Sequence, residues 1–282
     1  MGVPRFLVQS YFNDRQFPSH VLSANEQSGN AWKVGAGRRS PGHYWTPDTA
    51  NAAAWVKSDA GSAKAADMCV IDRVHNLGGV ANMELQKSND NFVANLVTVV
   101  TLPIPSSASG DNTALSDGVR TPEGAYLRSF ASTSERYWRV FIPAMGAGLK
   151  PKVGGLYVGP SWQPPAITRP SGEDDHTPLA EVSTTPWGWE GRGLTIPRRS
   201  GVVIIELIDE ASYLTADLHI RDQYARRPMW MVFDEAKAER AFLARWAVGE
   251  RAGFGVPQDY PFRVINLPYE EKDPLISEGA AA

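Results

Sequence analysis

Proline and glycine interrupt this chain so often that long helices have little room in it: 21 prolines and 25 glycines are spread over 282 residues. Proline fixes φ and removes a backbone donor, and glycine weakens element interiors, so such a chain is expected to build short strands joined by turns. The apolar pieces between these breaks agree. In "AADMCVIDRV", Met68 and Val70 alternate with Cys69 and Ile71, so a strand here has apolar residues on both faces and is expected to be buried on both. In "ANMELQKSND", Met83 and Leu85 alternate with Asn82, Glu84 and Gln86, the pattern of a strand with one face in the core and one in water. The turn between them carries His75 and Asn76.

"NLVTVVTLPIP" predicts the next strand, ended by prolines, and Ser106 to Gly124 reads as a long polar loop. "AYLRSF" and "RYWRVFIPAM" return to strand character as two pieces, the second with Tyr137, Arg139 and Phe141 on one face and Trp138, Val140 and Ile142 on the other. "GGLYVGPSW" closes this set. Gln163 to Pro178 is rich in proline and poor in large apolar residues, the composition of a linker.

Beyond the linker, "GVVIIELI", "PMWMVF", "AFLARWAV" and "YPFRVINLPYEE" read as strands. Asp209 is placed to cap one short helix, with Leu214 and Leu218 four apart on one face. The expected domains are therefore 1–163, a linker at 164–178, a second β domain at 179–275 and a frayed tail at 276–282.

A net charge of −3 argues against a general nucleic-acid binder. Residues 1–165 hold 15 Lys/Arg against 12 Asp/Glu and residues 166–282 hold 13 against 19, unlike charges that suit copies packing on one another. The single cysteine, Cys69, excludes an intrachain disulfide, fits a reducing compartment and is expected to be inert core. "MGVPRFLVQSYFNDRQ" resembles neither a signal peptide nor a membrane span.

Candidate chemistry is sparse. His75 and Asn76 beside two glycines could supply a base and donors, but no nucleophile or carboxylate stands at a motif spacing, so scaffolding at the turn is the better reading. "EDDH" at 173–176 has metal-ligand types in what reads as a solvated linker, and "GAGRR" at 35–39 lacks the rest of a phosphate loop. No catalytic residue, cofactor or metal ligand is assigned. Of the nine tryptophans, Trp187 and Trp189 in "PWGW" are candidates for an interface or ligand contact, because aromatic rings in Pro/Gly-rich segments stack on sugars or anchor partners.

The first half resembles a discoidin-type (coagulation factor 5/8 type C) jelly roll of the galactose-binding-like class over roughly Pro18 to Trp162. The likeness rests on "AAWVKSDAGSAKAADMCVIDRVHNLGG", "MELQKSNDN" and "ERYWRVFIP". Trp55, Asp59 and Gly61 match family positions, whereas Ala60 stands where leucine is usual. The resemblance implies a sandwich with Trp55 in its core and ligand-binding loops at one end, and those loops vary too much to transfer a binding residue.

The second half, through "LTADLHIRDQYARRPMWMVFDE", "FLARWAV" and "FRVINLPYEE", resembles distal-tail and baseplate-type minor tail proteins of long-tailed bacteriophages. Together the two resemblances imply a mainly β, non-enzymatic virion protein with two jelly-roll-like sandwich domains. Made in the bacterial host cytoplasm, it would form part of a homo-oligomeric ring in the tail tip, touching tail-tube, hub or fibre proteins and host-surface glycan. The alternative is a carbohydrate-binding module that attaches to glycans.

Overall fold

The structure is a computed structural model that describes residues 5–7, 9–12, 21–24, 31, 34, 44–50, 52–72, 77, 82–102, 119–120, 125–146, 148–164, 175–179, 182–184, 190–192, 196–208, 229–233, 241–246, 253–255 and 263–271. The chain is mainly β, and every element among those residues is a strand. Two compact units divide it: Met1–Trp162 with Val232–Ala241, and Gln163–Met231 with Phe242–Ala282.

In the first unit the strands are β1 (Arg5–Leu7), β2 (Val21–Ala24), β3 (Ala54–Ile71), β4 (Met83–Ser88), β5 (Val97–Leu102), β6 (Val119–Arg120), β7 (Tyr126–Ile142), β8 (Leu156–Gly159) and β9 (Ser161–Trp162). An antiparallel sheet runs in the order β2-β3-β7-β4-β5, with β6 also on β7 and β8 also on β3. Both long strands exceed what their apolar patterns suggest. The polar stretch Ala131–Glu135 separates the two pieces read from the sequence, yet β7 runs through it because Thr133, Ser134 and Glu135 pair with Ala66, Ala65 and Lys64 of β3. Ladder bonding to a neighbour holds a segment in strand form even where its side chains face water. The register shifts twice, between Asp59 and Lys64 and between Ala66 and Met68. Gly61 stands inside the first shift at φ 74°, a left-handed conformation that an L side chain resists.

The sandwich core follows from alternation. Ala54, Val56 and Ala60 of β3, Trp138, Val140 and Ile142 of β7, Met83 and Leu85 of β4 and Val100 and Leu102 of β5 turn to one face. They pack with Tyr11, Phe12, Trp45 and Val153. Tyr11 stacks on Trp138 at 6.2 Å between ring centroids, its hydroxyl donates to the Ala65 carbonyl, and Ser58 Oγ donates to the Tyr11 carbonyl. Burial raises the Tyr11 hydroxyl above its ordinary range, so it stays a donor. Farther along β3, Met68, Cys69, Val70 and Ile71 are all buried, as alternation of apolar residues on both faces predicts. Burial pushes the Cys69 thiol up to about 12, which keeps it protonated and inert.

Trp55 departs from expectation. It is half-buried on the face opposite the core, because Ala54 and Val56 are the residues that point inward. The core is filled instead by Trp138 and Trp45, both fully buried.

The second unit's strands are β10 (Asp175–Leu179), β11 (Val182–Thr184), β12 (Glu190–Arg192), β13 (Ile196–Ile208), β15 (Ala241–Trp246), β16 (Gly253–Gly255) and β17 (Arg263–Glu271), with β14 (Met229–Val232) entering between β13 and β15 in sequence. β10 pairs β13, β13 pairs β17, and β15 and β16 both pair β17, all antiparallel, while β11 and β12 form a separate hairpin pair. All four residues of β14 are buried. Within 164–178, read above as linker, Asp175–Pro178 lie in a strand opposite Pro197–Ser200. Pro178 pairs with Pro197, so the lost donors meet at one position. Tyr269 packs on Phe242 at 5.7 Å and lies over Gly201, where a Cβ would come within 2.8 Å of the Tyr269 hydroxyl. The expected short helix at 209–227 lies outside the described residues.

Candidate ligand-binding face

The face of β4-β7-β3 away from the core carries a grid set by strand register. Glu84, Phe141 and Trp55 form one row, Gln86, Arg139 and Lys57 the next, and Ser88, Tyr137 and Asp59 the third. Alternation that sends Trp138, Val140 and Ile142 inward necessarily sends Tyr137, Arg139 and Phe141 outward. All three of these outward residues are half-buried.

Arg139 is the hub. Its Nε donates to Gln86 Oε1 at 2.7 Å, Gln86 Nε2 donates to Glu84 Oε2 at 2.6 Å, and Thr98 Oγ1 donates to the same Glu84 oxygen at 2.9 Å. Three rings surround the guanidinium carbon: Phe92 at 4.3 Å, Phe141 at 5.9 Å and Trp55 at 6.0 Å. Burial lowers the Arg139 pKa from its ordinary value and the Glu84 charge opposes that shift, so the group stays cationic. Lys57 Nζ lies 5.3 Å from the Trp55 ring and donates to Asn91 Oδ1 at 2.5 Å. Its pKa is also lowered, first by burial and then by the charge of Arg139, with Asp59 acting the other way. In the third row Asp59 receives a bidentate pair from Arg136, Nε at 2.8 Å and Nη2 at 2.9 Å, and its Oδ1 also accepts from Gly61 N. The Arg136 guanidinium lies over the Tyr137 ring at 4.9 Å.

The loop after β4 closes over this face. Ser88 Oγ donates to Asp90 Oδ1 at 2.6 Å and accepts from the amides of Asp90 and Phe92 at 3.1 and 3.0 Å. Asp90 then accepts from the amides of Val93, Ala94 and Asn95. The Ser88 hydroxyl, and after it these amides, hold the Asp90 carboxyl at about 2. Asn91 and Phe92 have φ of 62° and 64° in succession. Asparagine visits that region readily, phenylalanine does not, and a residue held there costs about 1–3 kcal/mol. The Ser88 and Asp90 bonds fix the turn that places the Phe92 ring over Arg139. At the loop's tip Val93 is 84% exposed, with Leu96 at 46% and Val97 at 50% behind it.

No protein-family model and no curated protein sequence matches the chain. Similar solved structures exist. Chitosan-binding module 1 of a chitosanase/glucanase from Paenibacillus sp. IK-5 aligns over 53% of this chain and 98% of its own, at 16% identity and a TM-score of 0.38. The module CpGH89CBM32-5 of Clostridium perfringens, in complex with GalNAc-β-1,3-galactose, aligns over 52% of this chain and 98% of its own, at 14% identity and a TM-score of 0.37. A Ruminococcus gnavus GH29 fucosidase in complex with fucose aligns over 56% of this chain but only 27% of its own, at 13% identity and a TM-score of 0.38. At such identities and scores the likeness brings neither a ligand nor a residue role to this chain.

Of the residues singled out from the sequence, Trp55 and Asp59 lie on this face. His75, Asn76, Trp187 and Trp189 are all outside the described residues. Of the acidic run at 173–176, Asp175 and His176 fall in β10 opposite Ser200 and Arg199. Among the described residues no group of three His, Cys, Asp or Glu side chains is placed to hold a metal ion. Sequence reasoning missed Trp55, Lys57, Phe92 and Arg139. The signal was present: the outward half of "RYWRVFI" contains two aromatics and an arginine, which is more than a merely solvated strand face requires.

Proposed function

We propose that this chain is a non-catalytic glycan-binding protein whose ligand lies against the outer face of β3, β7 and β4. The observation that carries the reading is the cluster of three half-buried rings, Trp55, Phe92 and Phe141, around the Arg139 guanidinium. Sugars present apolar C–H faces and a rim of hydroxyls, so they are received by aromatic rings beside a few fixed polar groups. Gln86, Glu84 and Thr98 hold Arg139 in place, and the strained Phe92 turn is held by Ser88 and Asp90. A site fixed in advance loses little freedom on binding. Screening the purified full-length protein on immobilised oligosaccharides tests the reading, with Trp55→Ala as the control. Retention on a defined glycan that is lost in the variant is expected. Failure of the wild-type protein to bind any glycan overturns it.

A second reading is a structural protein of a phage tail tip, part of a ring joining tail tube to host-recognition proteins, in which the same face would meet host-surface glycan. What supports it is that "MWMV", directly after Arg-Arg-Pro, and the late segment ending in Glu270 and Glu271 are both strands, the elements on which the tail-protein resemblance rests. Electron microscopy of particles carrying a labelled copy tests it: label confined to the tail tip is expected, and label absent from particles overturns it.

A further inference from the structure

The grid holds an electrostatic imbalance that the glycan reading leaves unused. Lys57 and Arg139 are register partners on adjacent antiparallel strands, two cations directly opposite each other on a half-buried face. Like charges in that relation oppose sheet formation. Neither nearby acidic group pairs directly with them: Asp59 is taken up by the bidentate Arg136, and Glu84, whose Oε2 accepts from the neutral Gln86 and Thr98, reaches Arg139 through Gln86. Among the described residues the Arg139 side chain makes one hydrogen bond, through Nε, and its two terminal nitrogens donate to none of them. Lys57 gives one proton to a neutral acceptor, Asn91 Oδ1. Two adjacent cations with donors to spare, flanked by the rings of Trp55 and Phe92, match an anion attached to a ring that can stack.

Resting on the glycan reading, we infer that the ligand is an acidic sugar chain whose carboxylate is received between Lys57 and Arg139. The planar fork of an arginine accepts a carboxylate through two parallel N–H···O bonds, and a lysine beside it adds a compact point charge. The carboxylate would convert the Lys57–Arg139 repulsion into two attractions, which a neutral sugar cannot do. Trp55 would carry the pyranose ring to which the carboxylate is attached.

The test compares an oligogalacturonate with a neutral galacto-oligosaccharide of the same length by isothermal titration of the full-length protein, its Arg139→Gln variant and its Lys57→Gln variant. Thermal melts establish that each variant is folded, and Lys57→Gln serves if Arg139→Gln is not, because among the described residues the Lys57 amine hydrogen-bonds only to the exposed Asn91. The acidic ligand is expected to bind more tightly than the neutral one, to weaken as salt is raised, and to lose about tenfold or more in either variant. Equal affinity for both sugars, changed alike or not at all by the variants, overturns the acidic preference and leaves glycan binding standing. Binding of neither sugar, together with silence on the wider glycan screen, overturns both.

Discussion

Lys57 and Arg139 face each other across the β3–β7 ladder, one strand position apart from Trp138 and Val140, which fill the core on the opposite side. A strand pair that buries one face so completely leaves its other face free to hold groups that do not favour folding. Replacing Lys57 with glutamine is therefore expected to raise the stability of the unliganded protein by about 0.2–1 kcal/mol, the size of a cross-strand charge term. Chemical denaturation measures it, and a variant less stable than wild type would show that the Lys57–Asn91 bond outweighs the repulsion.

Tryptophans on the two faces should separate stability from binding. Trp138 is fully buried against Tyr11, so Trp138→Ala is expected to cost about 3–5 kcal/mol. Trp55 is half-buried on the outer face, and Trp55→Ala should cost clearly less. Equal losses in thermal melts would contradict this division.

The Asp90 loop should fail in acid. Its carboxyl titrates at about 2 in the folded protein, below the ordinary 3.8, so the stabilisation is complete above the ordinary value and is lost as pH falls through the folded one. Amide resonances of Val93, Ala94 and Asn95 are expected to shift in a transition centred at about pH 2, and Asp90→Ala should abolish that transition. Amides unchanged as pH falls through about 2 would mean that Asp90 does not hold the turn.

Two glycines distinguish close approach from backbone strain. A Cβ on Gly159 would sit 2.2 Å from the Gln9 carbonyl oxygen, whereas one on Gly61 would meet nothing but would carry a φ of 74°. Gly159→Ala is expected to cost about 1–3 kcal/mol through forced displacement of backbone, and Gly61→Ala about 1–2 kcal/mol through the left-handed conformation alone. Denaturant midpoints for the two variants check both values.

Alternation made much of this fold legible. "RYWRVFI" and "MELQKS" already assign inward and outward residues, and "AFLARW" forms the strand β15. Trp55 was misplaced because the resemblance put it in the core, although in "AWVKSDA" the charged Lys57 and Asp59 share its face while Ala54, Val56 and Ala60 share the other. Tyr11 and Trp138 fill the space that these small inward residues leave. The unity of β3 and of β7 was hidden because ladder pairing, which carries no side-chain pattern, holds their polar middles. The loop over the face was partly readable: "SND" is a signal for side-chain-bonded turns. That Phe92 would close on Arg139, more than forty positions later, depends on register between strands and could not be seen locally.

The most direct test of the glycan-binding face is the affinity of the full-length protein and Trp55→Ala for a glycan found by array screening. Saturable binding by the wild type, with loss in a Trp55→Ala variant that melts normally, is expected. Wild-type protein that retains no glycan, or a Trp55→Ala variant that binds as tightly as wild type, would contradict it.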